Sequence, residues 1–160
     1  MIRGLMFRWL SLSAAIVLAD QLSKAWITAR YQLFDSEPMT SFFNLVFVMN
    51  SGAAFSFLAG AGGWQKWFFV VLAISVCTWL IFMLRQHTAE RLMSAALALI
   101  LGGAAGNLID RLRFDAVVDF LDFHYAGYHF PAFNVADSSI TIGVALMLLY
   151  EFRRPKNVTV

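Results

Sequence analysis

The uncharged stretch at residues 67–84, WFFVVLAISVCTWLIFML, decides the fold class of this chain. A helix rises about 1.5 Å per residue, so about 20 apolar residues cross the roughly 30 Å hydrocarbon core of a bilayer. Backbone groups in lipid must be satisfied internally, and a helix achieves this within one segment. The stretch, extended back to Trp64, therefore predicts a membrane-spanning helix over residues 64–84.

Three other apolar segments of similar length lie at about residues 5–27, 92–109 and 133–152. Hydrophobic residues make up 60% of the chain and charged residues 14%, whereas soluble domains contain about 25% charged residues. The first segment begins like a signal peptide, but it continues past Lys24 without a convincing cleavage site, so we interpret it as a retained span. We expect an α-helical membrane protein in which residues 1–160 form one integral membrane domain.

Four spans place both termini on one side of the membrane. Lys and Arg are modestly more numerous on that side, and the positive-inside rule therefore predicts cytoplasmic termini. Basic residues form no cluster that would suit nucleic acid. Acidic residues gather on the opposite, periplasmic side, where we expect the chemistry. There, residues 41–50 are rich in β-forming residues and predict one or two strands.

Charged and amide side chains at the ends of the spans need partners or a function, because they are costly in lipid. Asp20 and Lys24 are four residues apart and share a helix face, which fits either a structural salt bridge or one wall of a polar pocket. The small residues of GGAAG at 102–106 indicate close helix packing. Packing does not explain Asn107, Asp110 and Arg111, which follow within a few residues.

Two further acids stand in unusual surroundings. Asp119 is embedded in the apolar run VVDF, where burial would raise the pKa of its carboxyl group. Asn134 is a good N-cap for the last span, which places Asp137 in the first turn of that helix. If the two carboxylates meet, repulsion lets one keep a proton while the other acts as a base. The pair titrates as a unit, so we assign the proton to neither residue, although the helix dipole weakly favours Asp137 as the anion.

Other hydrolytic schemes fit the sequence less well. The three histidines form no His-Glu-x-x-His helix, and no Gly-x-Ser-x-Gly elbow is present. Ser23 and Lys24 are adjacent on a helix and face different directions, which disfavours a Ser–Lys dyad. We therefore expect aspartic peptide hydrolysis without a metal or another cofactor.

Five short motifs appear in order along the chain and together resemble lipoprotein signal peptidase, the signal peptidase II family. Each motif is modest alone, but the series extends from the first span to the fourth. The motifs are Asp20-Gln-x-x-Lys24, Asn50-x-Gly-Ala-Ala-Phe55, Gly103-Ala-x-Gly106-Asn107-x-x-Asp110-Arg111, Val117-Val-Asp119-Phe120 and Phe133-Asn134-x-Ala136-Asp137.

The resemblance implies four transmembrane helices with a small periplasmic β-rich platform and a short surface helix. It implies a bacterial inner-membrane enzyme, expected as a monomer, that cleaves diacylglyceryl-modified prolipoproteins before the lipidated cysteine, meets membrane lipid and is inhibited by globomycin. It also implies that Asp119 and Asp137 are catalytic. The residues implied to bind substrate or brace the pocket are Asp20, Gln21, Lys24, Asn50, Gly52, Asn107, Asp110, Arg111 and Asn134.

Two alternatives from other classes stay open at this point. A small proton-coupled transporter could use Asp20, Asp110 and Asp137 as a relay, although it would need ionisable groups near the bilayer midplane and usually an internal repeat. A structural membrane subunit would use the polar residues only for assembly. The glycines of residues 53–63 also suggest a flexible lid over the site.

Overall fold

The computed structural model describes residues 2–52 and 64–153, and four long helices dominate this part of the chain. All four are long and apolar enough to cross a membrane. The prediction of four spans is therefore confirmed. The helices are α1 (Ile2–Arg30), α2 (Trp64–His87), α3 (Arg91–Phe114) and α4 (Val135–Arg153).

The helix ends differ from the predicted span limits where polar residues are involved. The predicted spans ended at residues 27 and 109, but α1 continues to Arg30 and α3 to Phe114. At the end of α3, Asp110 and Arg111 find partners inside the protein, which supports the helix past its apolar run. The fourth helix begins at Val135 rather than at residue 133, because Asn134 caps it.

Helix α3 is the centre of the helical part and packs against each of the other three helices. A leucine-rich core that includes Leu80, Leu84 and Leu97 joins it to α2. On its other side α3 approaches α4 closely at Gly103. A Cβ atom added there would lie 2.4 Å from the carbonyl oxygen of Ala136. The small residues of the 102–106 stretch thus bring two helices together, as the sequence predicted.

The strands form one four-stranded antiparallel sheet in the order β1-β2-β3-β4. The strand predicted within residues 41–50 is confirmed as β2. The short surface helix is absent from the two described ranges, and the proposed lid at residues 53–63 lies outside them. The strands are β1 (Ser36–Pro38), β2 (Phe43–Asn50), β3 (Val117–Tyr125) and β4 (Tyr128–His129).

Strand β3 connects the end of α3 to the approach to α4, and its two faces have different neighbours. Val118 and Phe120 are buried against Ile27 of α1. Successive side chains of a strand point to opposite faces, so Asp119, which lies between them, points the other way. The sheet therefore holds Asp119 over the end of α3 and the beginning of α4.

Candidate active site

Asp119 and Asp137 line the same cavity, which has a volume of about 840 Å³. The cavity lies between the sheet and the ends of α3 and α4. Among the polar side chains, Asn107 and Arg111 of α3 share its wall with the two aspartates. Two acids that lie 18 residues apart in the sequence thus face one space, which is the condition that the sequence left open.

Asp119 is almost completely withdrawn from solvent, with 2% of its surface exposed. Asn134 Nδ2 donates to its Oδ1 atom at 2.7 Å, and Asn50 Nδ2 donates to Oδ2 at 3.1 Å. Burial, followed by the negative charge of Asp137, raises the pKa of the Asp119 carboxyl group to about 7. Asp119 therefore holds a proton far more readily than an exposed aspartate does.

Asp137 is half-buried in the first turn of α4, where a reciprocal capping arrangement holds it. Its backbone N–H donates to Asn134 Oδ1 at 2.9 Å, and the backbone N–H of Asn134 donates to Asp137 Oδ2 at 3.3 Å. Asn107 Nδ2 donates to Asp137 Oδ1 at 2.8 Å. The prediction that Asn134 caps the helix is confirmed, and the same cap orients the carboxylate.

The amide orientations of Asn50 and Asn134 follow from partners that can only donate. Asn50 Oδ1 accepts from the backbone N–H of Gly52 at 3.1 Å, so its Nδ2 must face the other way, toward Asp119. Asn134 Oδ1 accepts from the backbone N–H of Asp137, and its Nδ2 also faces Asp119. Both asparagines can therefore only donate to Asp119 in this arrangement.

A buried ionic cluster lies behind the cavity wall. Lys24 Nζ is 2.8 Å from an oxygen of Asp20 and 2.8 Å from an oxygen of Asp110, and all three side chains are at most 4% exposed. Asp20 Oδ1 accepts from the backbone N–H of Ala136 at 2.9 Å, which ties α1 to the start of α4. The predicted Asp20–Lys24 pair is confirmed, but it does not line the cavity, because these groups lie beneath Asn107.

The second acid of the cluster joins three elements. Asp110 Oδ1 accepts from Gln21 Nε2 at 2.8 Å, and Asp110 Oδ2 accepts from the backbone N–H of Val118 at 3.1 Å. Helix α3 is thus connected to α1 and to β3 one residue before Asp119. The cluster fixes the position of the strand that carries Asp119.

Arg111 lines the cavity one helical turn after Asn107. It donates to the carbonyl oxygen of Gly52 at 3.1 Å, and its guanidinium group lies 5.1 Å from the centre of the Phe69 ring. Of the residues singled out beside the aspartates, Asn50, Gly52, Asn107 and Arg111 line the cavity, and the others lie behind it: Asp20, Gln21, Lys24, Asp110 and Asn134.

Sequence reasoning missed one wall of the cavity. Residues 130–133 run along it, together with Ser138 and Thr141 on the first turns of α4. Their helical spacing from Asp137, at i+1 and i+4, could have predicted that Thr141 shares its face. The apolar residues 130–133 gave no such indication, because aromatic residues are common at membrane interfaces whether or not they line a site.

The pKa of Asp119 gives a prediction for stability. A carboxyl group whose pKa is raised in the folded protein stabilises the fold fully below its unfolded pKa, near 4, and this contribution is lost as the pH rises through about 7. We expect the unfolding temperature of Asp119→Asn, relative to that of the wild type, to be higher at pH 8.5 than at pH 4, because only the carboxyl group titrates. Thermal unfolding in detergent at the two pH values measures the difference, and equal differences at both would contradict it.

The fold and the cavity define a class: a helical membrane protein with a pair of carboxyl groups in one cavity at a common end of its spans. The family model described as signal peptidase (SPase) II matches residues 12–153. The chain therefore belongs to the signal peptidase II family.

Relatives and solved structures agree with this family. A lipoprotein signal peptidase from Ralstonia nicotianae is 53% identical over 146 residues, which cover 91% of this chain and 84% of the relative. One from Azoarcus sp. is 54% identical over 152 residues, covering 95% and 86%. A solved bacterial membrane enzyme at 34% identity superposes with a TM-score of 0.83 over 96% of this chain and 94% of the other.

Proposed function

We propose that this protein is an aspartic endopeptidase that removes the signal peptide from diacylglyceryl-modified prolipoproteins, cleaving before the lipidated cysteine. The observation that carries the proposal is the shared cavity of Asp119 and Asp137 at the ends of membrane-spanning helices. The relatives named as lipoprotein signal peptidases support the substrate class.

Asp119 and Asp137 are the catalytic pair in this proposal. Two negative charges close together are unfavourable, so the two carboxyl groups do not both ionise readily. The pair carries one proton at pH values between its two macroscopic pKa values. The ionised carboxylate takes a proton from water while the water attacks the scissile carbonyl carbon. The protonated carboxyl group donates to the carbonyl oxygen, which would otherwise accumulate negative charge.

The remaining polar residues of the cavity would position the substrate. Asn50, Gly52, Asn107 and Arg111 line the space beside the pair. The guanidinium group of Arg111 has five N–H donors and suits the carbonyl oxygens of a peptide backbone, and globomycin, a cyclic peptide, would occupy the same space. Asp20, Gln21, Lys24, Asp110 and Asn134 would brace the site from behind.

The membrane arrangement follows from the same proposal. We place the protein as a monomer in the bacterial inner membrane, with cytoplasmic termini and the cavity at the periplasmic face. Exposed Trp26, Trp64 and Trp67 lie at the cavity end of α1 and α2, which suits a membrane–water interface. A scissile bond held at the interface by its lipid anchor would meet the cavity there, with the acyl chains still in lipid.

A proton-coupled transporter explains the site less well. Asp20 and Asp110 are engaged by a buried lysine and by backbone N–H groups. Asp110 and Asp137 lie near the ends of α3 and α4 on the cavity side, whereas a transport relay needs ionisable groups near the midplane. Family membership also favours the peptidase.

The experiment that tests the proposal compares two substrates in detergent. Purified protein is mixed with a diacylglyceryl-modified prolipoprotein or with the same prolipoprotein carrying no lipid. We expect a gel shift, with the new N-terminus at the lipidated cysteine, for the lipidated substrate alone. Cleavage of both substrates at equal rates would contradict lipid-dependent recognition, and cleavage of neither would contradict the proposed activity.

A further inference from the structure

Asn107 lies between a buried ammonium group and one catalytic carboxylate. Its Oδ1 atom is 3.0 Å from Lys24 Nζ, and its Nδ2 atom donates to Asp137 Oδ1 at 2.8 Å. An ammonium group has no acceptor, so the amide oxygen must face Lys24. The NH2 group of Asn107 is then directed at Asp137 and cannot exchange places with the oxygen.

The other contact of the same amide agrees with this orientation. Asn134 Nδ2 also donates to Asn107 Oδ1, at 3.3 Å. Two donors therefore meet the amide oxygen, while the amide nitrogen has Asp137 as its acceptor. Turning the amide around would break all three interactions at once.

The surroundings of the two aspartates are consequently unequal. Asp137 accepts from Asn107 and from the backbone N–H of Asn134, and it lies in the first turn of a helix, where a negative charge is favoured. Asp119 is more deeply buried and lies on a strand, which has only a small dipole. The negative charge of the pair is better stabilised on Asp137 than on Asp119.

We propose that Lys24 and Asn107 are positioning residues that make Asp137 the unprotonated member of the pair and leave the shared proton on Asp119. This inference rests on the proposed peptidase function. Lys24 acts through Asn107, because the ammonium group fixes which end of the amide faces Asp137.

The assignment determines the direction of every proton transfer. Water oxygen bonds to the carbonyl carbon and gives a proton to Asp137, while the carbonyl oxygen takes the proton of Asp119. When the C–N bond breaks, Asp137 returns its proton to the leaving nitrogen. One hydroxyl of the tetrahedral intermediate gives its proton to Asp119, which restores the carbonyl and the starting state of the pair.

Charged groups face Asp137 from each element around it. Helix α1 contributes Asp20 and Lys24, and strand β3 contributes Asp119, while α3 contributes Arg111. The variants must therefore change the donor to Asp137 with as little change in the other charges as possible.

The first test replaces Asn107 by Leu, which has a similar shape and no charge but removes the donor. The anion on Asp137 then loses its side-chain donor. The acid limb of the pH profile, where kcat/KM for the lipidated prolipoprotein falls as the pH is lowered, therefore moves to higher pH by about one unit or more. Asn44→Leu is the matched control, because Asn44 is a buried asparagine that donates to Asp122 at 2.8 Å outside the cavity. We expect its acid limb to stay in place.

A second variant keeps the inference testable if Asn107→Leu does not fold. Lys24→Met combined with Asp110→Asn removes one positive and one negative charge, so the net charge of the cluster is unchanged. Asn107 then loses the ammonium group that fixes its amide, and we expect the acid limb to move in the same direction.

An acid limb that stays at its wild-type pH in every folded variant, whatever the loss of kcat, would overturn the inference. It would leave the proposed function intact, because the wild type still cleaves its substrate. Absence of cleavage by the wild type would overturn both. The two failures are therefore distinguishable in the same experiment.

Discussion

Asp119→Asn and Asp137→Asn are each expected to lower the rate of prolipoprotein cleavage by about 10²–10⁴-fold or more. An amide cannot exchange the catalytic proton, although it fills the same volume as the carboxyl group. The neighbouring asparagines already donate to Asp119, so an amide nitrogen there would also face other donors. The measurement is single-turnover cleavage of the lipidated substrate by folded protein in detergent.

Asp122→Asn is the matched control for these two variants. Asp122 is also a buried aspartate of β3, and it accepts from Asn44, but it does not line the cavity. We expect its cleavage rate to stay within a few fold of the wild type. Normal cleavage by Asp119→Asn or Asp137→Asn would remove that aspartate from the catalytic pair, and an equal loss in Asp122→Asn would indicate a structural effect.

The second large effect is on stability. Lys24→Met leaves Asp20 and Asp110 buried without their common ammonium partner, and removal of one member of a buried ion pair costs about 3–5 kcal/mol. The cost arises from carboxylates that are left in a region from which water is excluded. Titration with a denaturing detergent measures the change in the free energy of unfolding.

Lys66→Met is the control for this prediction. Lys66 pairs with Asp115 near the start of α2, but 72% of the Asp115 side chain is exposed. Water replaces such a partner readily, and exposed pairs contribute about 0–1 kcal/mol. Equal stability of the Lys24 and Lys66 variants would show that the buried cluster does not hold α1, α3 and α4 together.

Local features of the site were predictable from sequence. The pairing of Asp20 with Lys24 follows from helical spacing, and the capping role of Asn134 follows from its place before an apolar helix. The burial of Asp119 follows from the VVDF run. Each of these depends on residues only a few positions apart, so helix and strand geometry are sufficient.

The contacts between distant segments were not predictable in the same way. Asn107 meets Lys24 and Asp137 only because the rotations of α1, α3 and α4 about their axes bring three faces together. Asn50 reaches Asp119 only through the register of β2 against β3, which is irregular between Leu45 and Val48. A hydrophobic pattern that is nearly uniform around a membrane helix gives no measure of such rotations.

A crystal structure with a peptide analogue that carries a hydroxyl group in place of the scissile carbonyl tests the shared reaction centre most directly. Such a group imitates the tetrahedral intermediate and binds where the charge develops. We expect its oxygen to lie within hydrogen-bond distance of carboxyl oxygens from both Asp119 and Asp137, inside the cavity lined by Asn107 and Arg111. A hydroxyl bound to only one of the two aspartates, or bound outside this cavity, would contradict the account.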